Sequence, residues 1–447
     1  MTESRGAQDT YLLIPILLLA VLASIAVIRG PSLVTLSGFG SAIIVAAPLI
    51  LATYALMSVA LAGRGTVDLA VGPLLAFINV SIVSLNGLGL VTSPLGVFVV
   101  AIGIGVIYQI LFAMVIIVVR VQPIIVALSG FLALSGMNRV ILPRPGGVAP
   151  DWMVSWGLGN TIFSPVLLIL LLATGGWLLF TLSPFFKHMR MMGYDERAAF
   201  TAGVRSDIVR IGAHVIAGIF VGLGAICYTA LIASGDPTQG TTMSLTAVTA
   251  VVLGGVSLAG GRGTITGALL GAINLFLIGY VLSTFQFGPV QGFATQLLYG
   301  LTLIASLLLT MLVPIVGRYI SFISPFAAFM VLGIVVAGIV LEVSTAQTFG
   351  DAGPISAASG DLVHRYLIFP PADDGQQIAI ALSPLQKLLF VAAAGLLILV
   401  VMMRAVVVEA AAHRFGTFGH AVVACFILLF LAIIAIYSQP ARGGFLP

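Results

Sequence analysis

Charged side chains are scarce in this chain, so one that falls beside an apolar run is a first candidate for chemistry. Asp68 is a lone acid within residues 66–72, TVDLAVG, and it lies four positions after Arg64. Acids inside membrane-like segments are costly and often functional. A structural role, as a cap or in a local pair with Arg64, suits its place at the edge of the run equally well. The sequence leaves both roles open.

The most charged stretch of the chain is a loop over residues 183–210. Within it, GYDERAAFTAGV at 193–204 places Asp195 and Glu196 where the first turn of a helix favours acids. Gly193 can end the preceding element, and Gly203 can end the new helix. The pattern predicts a short helix with a small-residue face suited to docking on another protein, or else an ordinary charged loop. That face consists of Ala198, Ala199 and Ala202.

A glycine-rich stretch, VVLGGVSLAGGRGT at 251–264, separates two apolar runs. Glycines in apolar helices let backbones approach closely, and Gly263, Gly267 and Gly271 repeat every four residues. The stretch predicts helix packing and a tight turn, with Arg262 marking the water boundary. The glycines that we assign to this packing role are Gly254, Gly255, Gly260, Gly261 and Gly263.

The sequence lacks the motifs that several kinds of chemistry require. No G-x-x-x-x-G-K-[ST] motif occurs, which argues against ATP hydrolysis by that route on this chain. Asp, Glu and His do not recur along the apolar runs, which argues against a proton-coupled carrier. Cys227 and Cys425 both lie in apolar runs, so we expect neither a metal site nor a catalytic thiol there. We therefore predict no enzyme activity, no bound cofactor and no metal.

The composition indicates a membrane protein. Of the 447 residues, 60% are hydrophobic and only 7% are charged, against about 25% charged in a soluble domain. The apolar runs are long and do not alternate, so they predict an all-α polytopic protein rather than a barrel. The small net charge of +4 gives no indication of a nucleic-acid surface.

The predicted helices must position these residues. About ten transmembrane helices form a core over residues 1–320, and about three more lie in a C-terminal extension, 321–447, with an extracytoplasmic loop at 343–385. The run at 69–90 contains Gly72, Pro73 and Asn79, which favours a discontinuous helix. Most basic residues fall on the cytoplasmic side if the N-terminus is cytoplasmic. The apolar runs lie near 11–28, 40–62, 69–90, 96–119, 121–142, 161–182, 211–233, 244–260, 264–285, 293–315, 324–341, 386–403 and 419–437.

Four segments, in order, resemble the permease subunits of bacterial ABC importers of the ribose and related monosaccharide type. Residues 66–72 resemble that family's "IDLSVG", and VQPIIVAL at 121–128 resembles its "VPPFIVTL". Residues 193–204 are similar to "GGNxxAAxxxGI", and residues 251–264 match "VVLGGTSLAGGRGT" with Val256 in place of threonine. The resemblance covers about residues 10–318, whereas the chain continues about 130 residues further than the typical member.

The resemblance implies about ten helices per subunit, paired with a second permease subunit around a central pathway in the bacterial inner membrane. Cytoplasmic ABC ATPase subunits would hold the ATP, and an extracytoplasmic solute-binding protein would deliver a small polar solute, most simply a monosaccharide. Residues 193–204 would be the coupling helix, with Glu196, Arg197 and Arg205 as polar contacts. Asp68 and Gly72 would lie in a broken helix lining the pathway, where Asn79 could meet the solute.

Other functions stay open at this level. The same machinery could import a nucleoside or an amino acid. The chain could instead be a secondary transporter that is not coupled to ATP, or a membrane scaffold built around the extra helices. Uptake that collapses with the ion gradient and ignores ATP depletion would identify the secondary transporter.

Overall fold

Helices account for every regular element in the part of the chain that the computed structural model describes: residues 15–16, 18–27, 29–63, 67–157, 164–285, 293, 296–302 and 304. By its internal contacts the chain divides into two units. Among the described residues, Leu171–Ser183 belongs to the second unit and all others to the first. The α-helices with defined ends are α1 Leu18–Val27, α2 Leu36–Ala62, α3 Val71–Gly87, α4 Pro94–Met114, α5 Pro123–Ile141, α6 Asp151–Gly157, α7 Pro165–Phe180, α8 Pro184–Tyr194, α9 Glu196–Thr201, α10 Ser206–Ile232, α11 Gly240–Leu253 and α12 Ile265–Ser283. A 3-10 helix, Pro31–Val34, precedes α2, and a π-helical turn, Val115–Val119, continues α4.

Five of the described helices, α2, α4, α5, α10 and α12, are long and apolar enough to cross a membrane. The number is six if α7 and α8 are counted as one interrupted span. The predicted all-α polytopic class is therefore confirmed. The total of about ten core helices stays a prediction, and the extension at 321–447, with its loop at 343–385, lies outside the described residues.

Several helix starts follow from local capping chemistry. Thr35 accepts a hydrogen bond from the amide of Gly38, and Ser93 accepts one from Gly96 with Pro94 at the first helical position. Thr264 accepts one from the amide of Gly267 at the start of α12. Each side-chain oxygen binds an amide that would otherwise have no partner in the first turn. These starts are consequently fixed by residues near them in sequence.

The centre of the first unit is α10, which packs against α2 and α4. Small residues make the α4–α10 contact close: a Cβ on Gly105 would collide with the carbonyl oxygen of Gly218, and one on Gly222 would lie 2.8 Å from the carbonyl oxygen of Ala101. Without a hydrophobic force between helices in lipid, such close backbone packing is a main source of helix association. α4 and α10 therefore form a tightly packed pair.

The expected break within residues 69–90 is corrected by the structure. α3 runs without interruption from Val71 to Gly87, and the interruption lies before it, where α2 has ended at Ala62. Pro73 falls in the first turn of α3, where the missing amide proton would have had no helical acceptor. With 17 and 14 residues, α3 and α11 are only about 25 and 21 Å long, shorter than a hydrocarbon core of about 30 Å.

The first turns of α3 and α11 meet closely. A Cβ on Gly72 would collide with the carbonyl oxygen of Gly240, and one on Gly240 would lie 2.7 Å from the carbonyl oxygen of Gly72. The side chain of Ser244 accepts a hydrogen bond from the amide of Gly72 at 3.0 Å. Gly72 therefore allows a close approach between two short helices rather than a break in one.

Candidate functional site

The predicted short helix exists as α9. Its N-cap is Asp195, whose Oδ1 accepts hydrogen bonds from the amides of Arg197 at 2.9 Å and Ala198 at 3.1 Å. After α9 the chain turns at Gly203, which has a φ of 85° that side-chain-bearing residues rarely adopt. The predicted position of Glu196 in the first turn and that of the terminating Gly203 are confirmed, whereas Asp195 lies one position earlier, as the cap.

The small-residue face predicted for this helix is divided between two sides. Ala199 is only 2% exposed and packs into its own chain, whereas Ala198 and Ala202 face outward. Phe200, which the sequence did not single out, is 69% exposed on the outward side. The prediction that Ala199 faces a partner is therefore wrong, because tertiary packing orients the helix with that residue inward.

Glu196 is also bound within the chain. Its Oε1 accepts a hydrogen bond from Nη2 of Arg210, the two atoms being 2.9 Å apart, and both side chains are mostly buried. Glu196 thus ties α9 to α10 within the chain, and its expected role as a contact for another protein stays a prediction. Arg197 and Arg205 are exposed and remain available for such contacts.

The glycine-rich stretch forms the predicted turn between α11 and α12. The backbone has positive φ at Gly255, Gly260, Gly261 and Gly263, and the amide of Ser257 donates to the carbonyl oxygen of Arg262 across the turn at 2.8 Å. Arg262 itself is exposed. Glycine is required here because other residues adopt these angles only with strain.

Glycines also hold α11 against α12. A Cβ on Gly254 would collide with the carbonyl oxygen of Gly267, and one on Gly271 would collide with that of Ala250. The predicted packing role is therefore confirmed for Gly254, Gly267 and Gly271. The helix before the turn ends at Leu253, so the predicted run at 244–260 includes several residues of the turn.

The same turn contacts the ends of α2 and α8. The amide of Gly261 donates to the carbonyl oxygen of Leu61, and Nε of Arg190 donates to the carbonyl oxygen of Gly261 at 3.1 Å. A Cβ on Gly193 would collide with the carbonyl oxygen of Leu61. α8 ends one residue later, at Tyr194, so the role of Gly193 is close packing on the turn rather than termination.

Asp68 is fully buried and has two partners. Its Oδ1 accepts from the amide of Ala70 at 2.9 Å, just before α3, and its Oδ2 accepts from Nε2 of Gln109 on α4 at 2.6 Å. Oε1 of Gln109 in turn lies 2.5 Å from Nδ1 of His214 on α10. Asp68 therefore has a structural role in the loop before α3, although the N-cap of this helix is Ala70 and no side chain caps it. Its predicted pairing with Arg64 lies outside the described residues.

Gln109 and His214 were missed by the sequence analysis. Both are buried polar residues in helices long and apolar enough to cross a membrane. They do not form a repeated pattern of acids and histidines along one apolar run, because Asp68, Gln109 and His214 come from three separate segments. A simpler signal in the sequence could have found them. Each is an isolated polar residue in an apolar run, and a polar side chain in such a run requires a hydrogen-bond partner.

Asn79 is satisfied within the chain. Its Nδ2 donates to Oγ1 of Thr229 at 2.9 Å and to the carbonyl oxygen of Ser234 at 3.0 Å, and its Oδ1 accepts from the amide of Asp236. The side chain has no exposed surface. In this structure the side-chain amide of Asn79 links α3 to the end of α10. A hydrogen bond from Asn79 to the solute stays a prediction.

Comparison with known proteins identifies the class to which this multi-pass membrane protein belongs. The sequence model of the family described as "Branched-chain amino acid transport system / permease component" matches residues 38–307, which is more than half of the chain. The chain therefore belongs to this permease family. The matched range contains Asp68, α9 and the glycine turn.

The similar relatives include permeases for two sugars. The ribose import permease protein RbsC of Escherichia coli K12 is 29% identical over 216 residues, covering 47% of this chain and 67% of the relative. RbsC of Bacillus subtilis 168 is 32% identical over 133 residues, covering 30% and 40%. The xylose transport system permease protein XylH of Escherichia coli K12 is 33% identical over 109 residues, covering 24% and 28%. The resemblance drawn from the four segments is confirmed.

Proposed function

We propose that this chain is the transmembrane permease subunit of an ATP-driven importer in the bacterial inner membrane. Its solute is a monosaccharide of the ribose and xylose class. The proposed partners are cytoplasmic ABC ATPase subunits that hold the ATP, an extracytoplasmic solute-binding protein and a second permease subunit. The N-terminus lies in the cytoplasm in this arrangement.

The observation that carries the proposal is the construction of α9. This helix of six residues is capped by Asp195, fixed to α10 through Glu196 and packed inward at Ala199. Its outward side nevertheless presents Phe200 beside Arg197. A large exposed aromatic side chain on a rigid, charged segment is typical of a protein contact. An ATPase surface that accepts an aromatic side chain and neutralises arginine fits this face.

The sugar is supported by the names of the relatives and by the chemistry of the described core. Of its buried polar side chains, Asp68 is the single acid, and the others are mainly amides and hydroxyls. A neutral sugar is bound by amide, hydroxyl and aromatic groups rather than by charges. A charged solute would require compensating charges within the membrane, at considerable energetic cost.

Uptake in a host that lacks its own ribose and xylose importers tests this function. The chain would be expressed with an ATPase and a binding protein encoded beside it, and radiolabelled D-ribose and D-xylose would be supplied separately. We expect uptake of at least one of these sugars to stop when ATP is depleted and to continue when a protonophore collapses the ion gradient. Uptake with the opposite dependence would replace the proposal with the secondary transporter.

A further inference from the structure

One series of polar residues connects α9 with the loop before α3. We call Glu196, Arg210, His214, Gln109 and Asp68 the polar chain. Glu196 and Arg210 form an ion pair, Nδ1 of His214 contacts Oε1 of Gln109, and Nε2 of Gln109 contacts Oδ2 of Asp68. Arg210 and His214 are four residues apart on α10 and so lie on one face of it. The series begins at the proposed ATPase contact and ends deep in the helix packing.

The direction of each hydrogen bond in the buried part is determined by the atoms. Nε2 of Gln109 can only donate, so the carboxyl group of Asp68 accepts. Oε1 of Gln109 can only accept, so Nδ1 of His214 carries a proton and donates. Gln109 is thus bound on both sides in a single orientation. A hydrocarbon side chain of similar length could keep the volume but neither bond.

At its inner end the polar chain holds the 67–70 loop from one side. Oδ1 of Asp68 binds the amide of Ala70. From the other side, Oγ of Ser244 on α11 donates to the carbonyl oxygen of Leu69 at 2.6 Å and accepts from the amide of Gly72 at 3.0 Å. The loop and the first turn of α3 are therefore held between Gln109 of α4 and Ser244 of α11.

We infer that the polar chain transmits displacement of α9 to the 67–70 loop and the start of α3, with Gln109 and His214 acting as positioning residues. The inference deepens the proposed function and rests on it for its meaning in transport. The competing explanation is that the close packing of α4 on α10, at Gly105 and Gly218, makes these helices one body whatever their polar contacts. The two explanations differ in whether loss of the Glu196–Arg210 ion pair, at one end of the polar chain, loosens the 67–70 loop at the other end.

Hydrogen–deuterium exchange on the full-length protein in lipid nanodiscs makes this distinction. Glu196→Gln breaks the ion pair at a partly exposed position without disturbing the core. We expect it to raise the exchange rate of a peptide covering residues 67–72 by about threefold or more, because amides in a loosened segment open more often. Asp207→Asn is the matched control: it removes an exposed carboxylate of α10 that forms no ion pair with Arg210 among the described residues.

Substitutions at two core residues test the buried part of the polar chain. Gln109→Leu should raise exchange at residues 67–72 at least as much as Glu196→Gln. His214→Asn keeps a donor close to the position of Nδ1 and should give exchange near that of the unmodified protein. The inference is overturned if Glu196→Gln matches Asp207→Asn at residues 67–72. His214→Leu removes the donor, and exchange in this variant as slow as in the unmodified protein would exclude His214 as a positioning residue.

The complete importer separates failure of this inference from failure of the proposed function. If the unmodified importer takes up sugar, Gln109→Leu should lower uptake per ATP hydrolysed by about tenfold while Asp207→Asn leaves it unchanged, since coupling rather than ATP hydrolysis is lost. An unmodified protein that takes up neither sugar would contradict the proposed function. The exchange measurements need no transport, and they decide the inference in either case.

Discussion

Gly260 lies directly against Gly193: a Cβ on Gly260 would be 2.6 Å from the carbonyl oxygen of Gly193. This contact joins the turn between α11 and α12 to the last turn of α8. Because α9 follows α8 after a single residue, Asp195, the glycine turn helps to set where α9 lies. Gly193 and Gly260, which are 67 residues apart in sequence, therefore act together to position α9.

Gly260→Ala should lower the free energy of unfolding by about 2–4 kcal/mol. The substitution combines strain at a φ of 104° with a collision against backbone atoms of Gly63 and Gly193, which cannot move away as a flexible side chain can. Denaturation by a titration of SDS in mild detergent measures the effect. Gly103→Ala is the control, since a Cβ there has no neighbour within 4 Å, and it should be neutral within about 1 kcal/mol. Equal losses in both variants would contradict a specific packing role.

Arginine at Ala198 and at Ala199 should have opposite consequences. Ala199→Arg places a charge in a site that is 2% exposed, so we expect loss of folded protein, measured by thermal unfolding and by yield after size-exclusion chromatography. Ala198→Arg adds the same side chain on the outward face and should leave thermal unfolding unchanged while weakening co-purification with the ATPase. If Ala198→Arg retained full binding of the ATPase, α9 would not be the contact.

Asn79→Ala should destabilise the protein by about 2–4 kcal/mol, because it leaves the partly buried carbonyl oxygen of Ser234 and amide of Asp236, and the buried hydroxyl of Thr229, without this partner. SDS titration measures the change. Asn86→Ala, two turns later on the same helix, removes one exposed hydrogen bond to Val148 and should cost about 1 kcal/mol or less. A similar loss in both variants would show that the Asn79 contacts add nothing beyond an ordinary surface bond.

The conformation of Gly203 gives a test that depends on backbone angle alone. A Cβ at Gly203 has no neighbour within 4 Å, so the φ of 85°, and not a collision of the Cβ, disfavours other residues there. Gly203→Val should cost about 1–2 kcal/mol in unfolding free energy, whereas Gly203→Asn should cost less, because asparagine tolerates left-handed angles. Thermal unfolding of the two variants in one detergent measures the difference, and a reversed order would contradict this origin.

Features set by neighbouring residues could be predicted from the sequence. α9 is one example, since its cap, its acidic first turn and its terminal glycine all lie within 195–203. Its orientation could not be predicted, because the burial of Ala199 depends on tertiary packing. The partners of Asp68 were equally inaccessible: Gln109 is 41 residues away, and His214 lies a further 105 residues from Gln109. Hydrophobic periodicity locates helices but does not state which polar groups meet between them.

The contacts that hold the short helix α3 have a consequence for how the protein enters the membrane during synthesis. The partners that hold it arrive late in synthesis: Thr229 is 150 residues beyond Asn79, and Ser244 is 172 residues beyond Gly72. Until the ribosome has supplied α10 and α11, the amide of Gly72 and the side chain of Asn79 lack these partners, which lipid cannot replace. We therefore expect newly made α3 to stay beside the insertion machinery until α10 and α11 are made, and we expect ribosome-bound chains that stop before α10 to be degraded faster than chains that include α11.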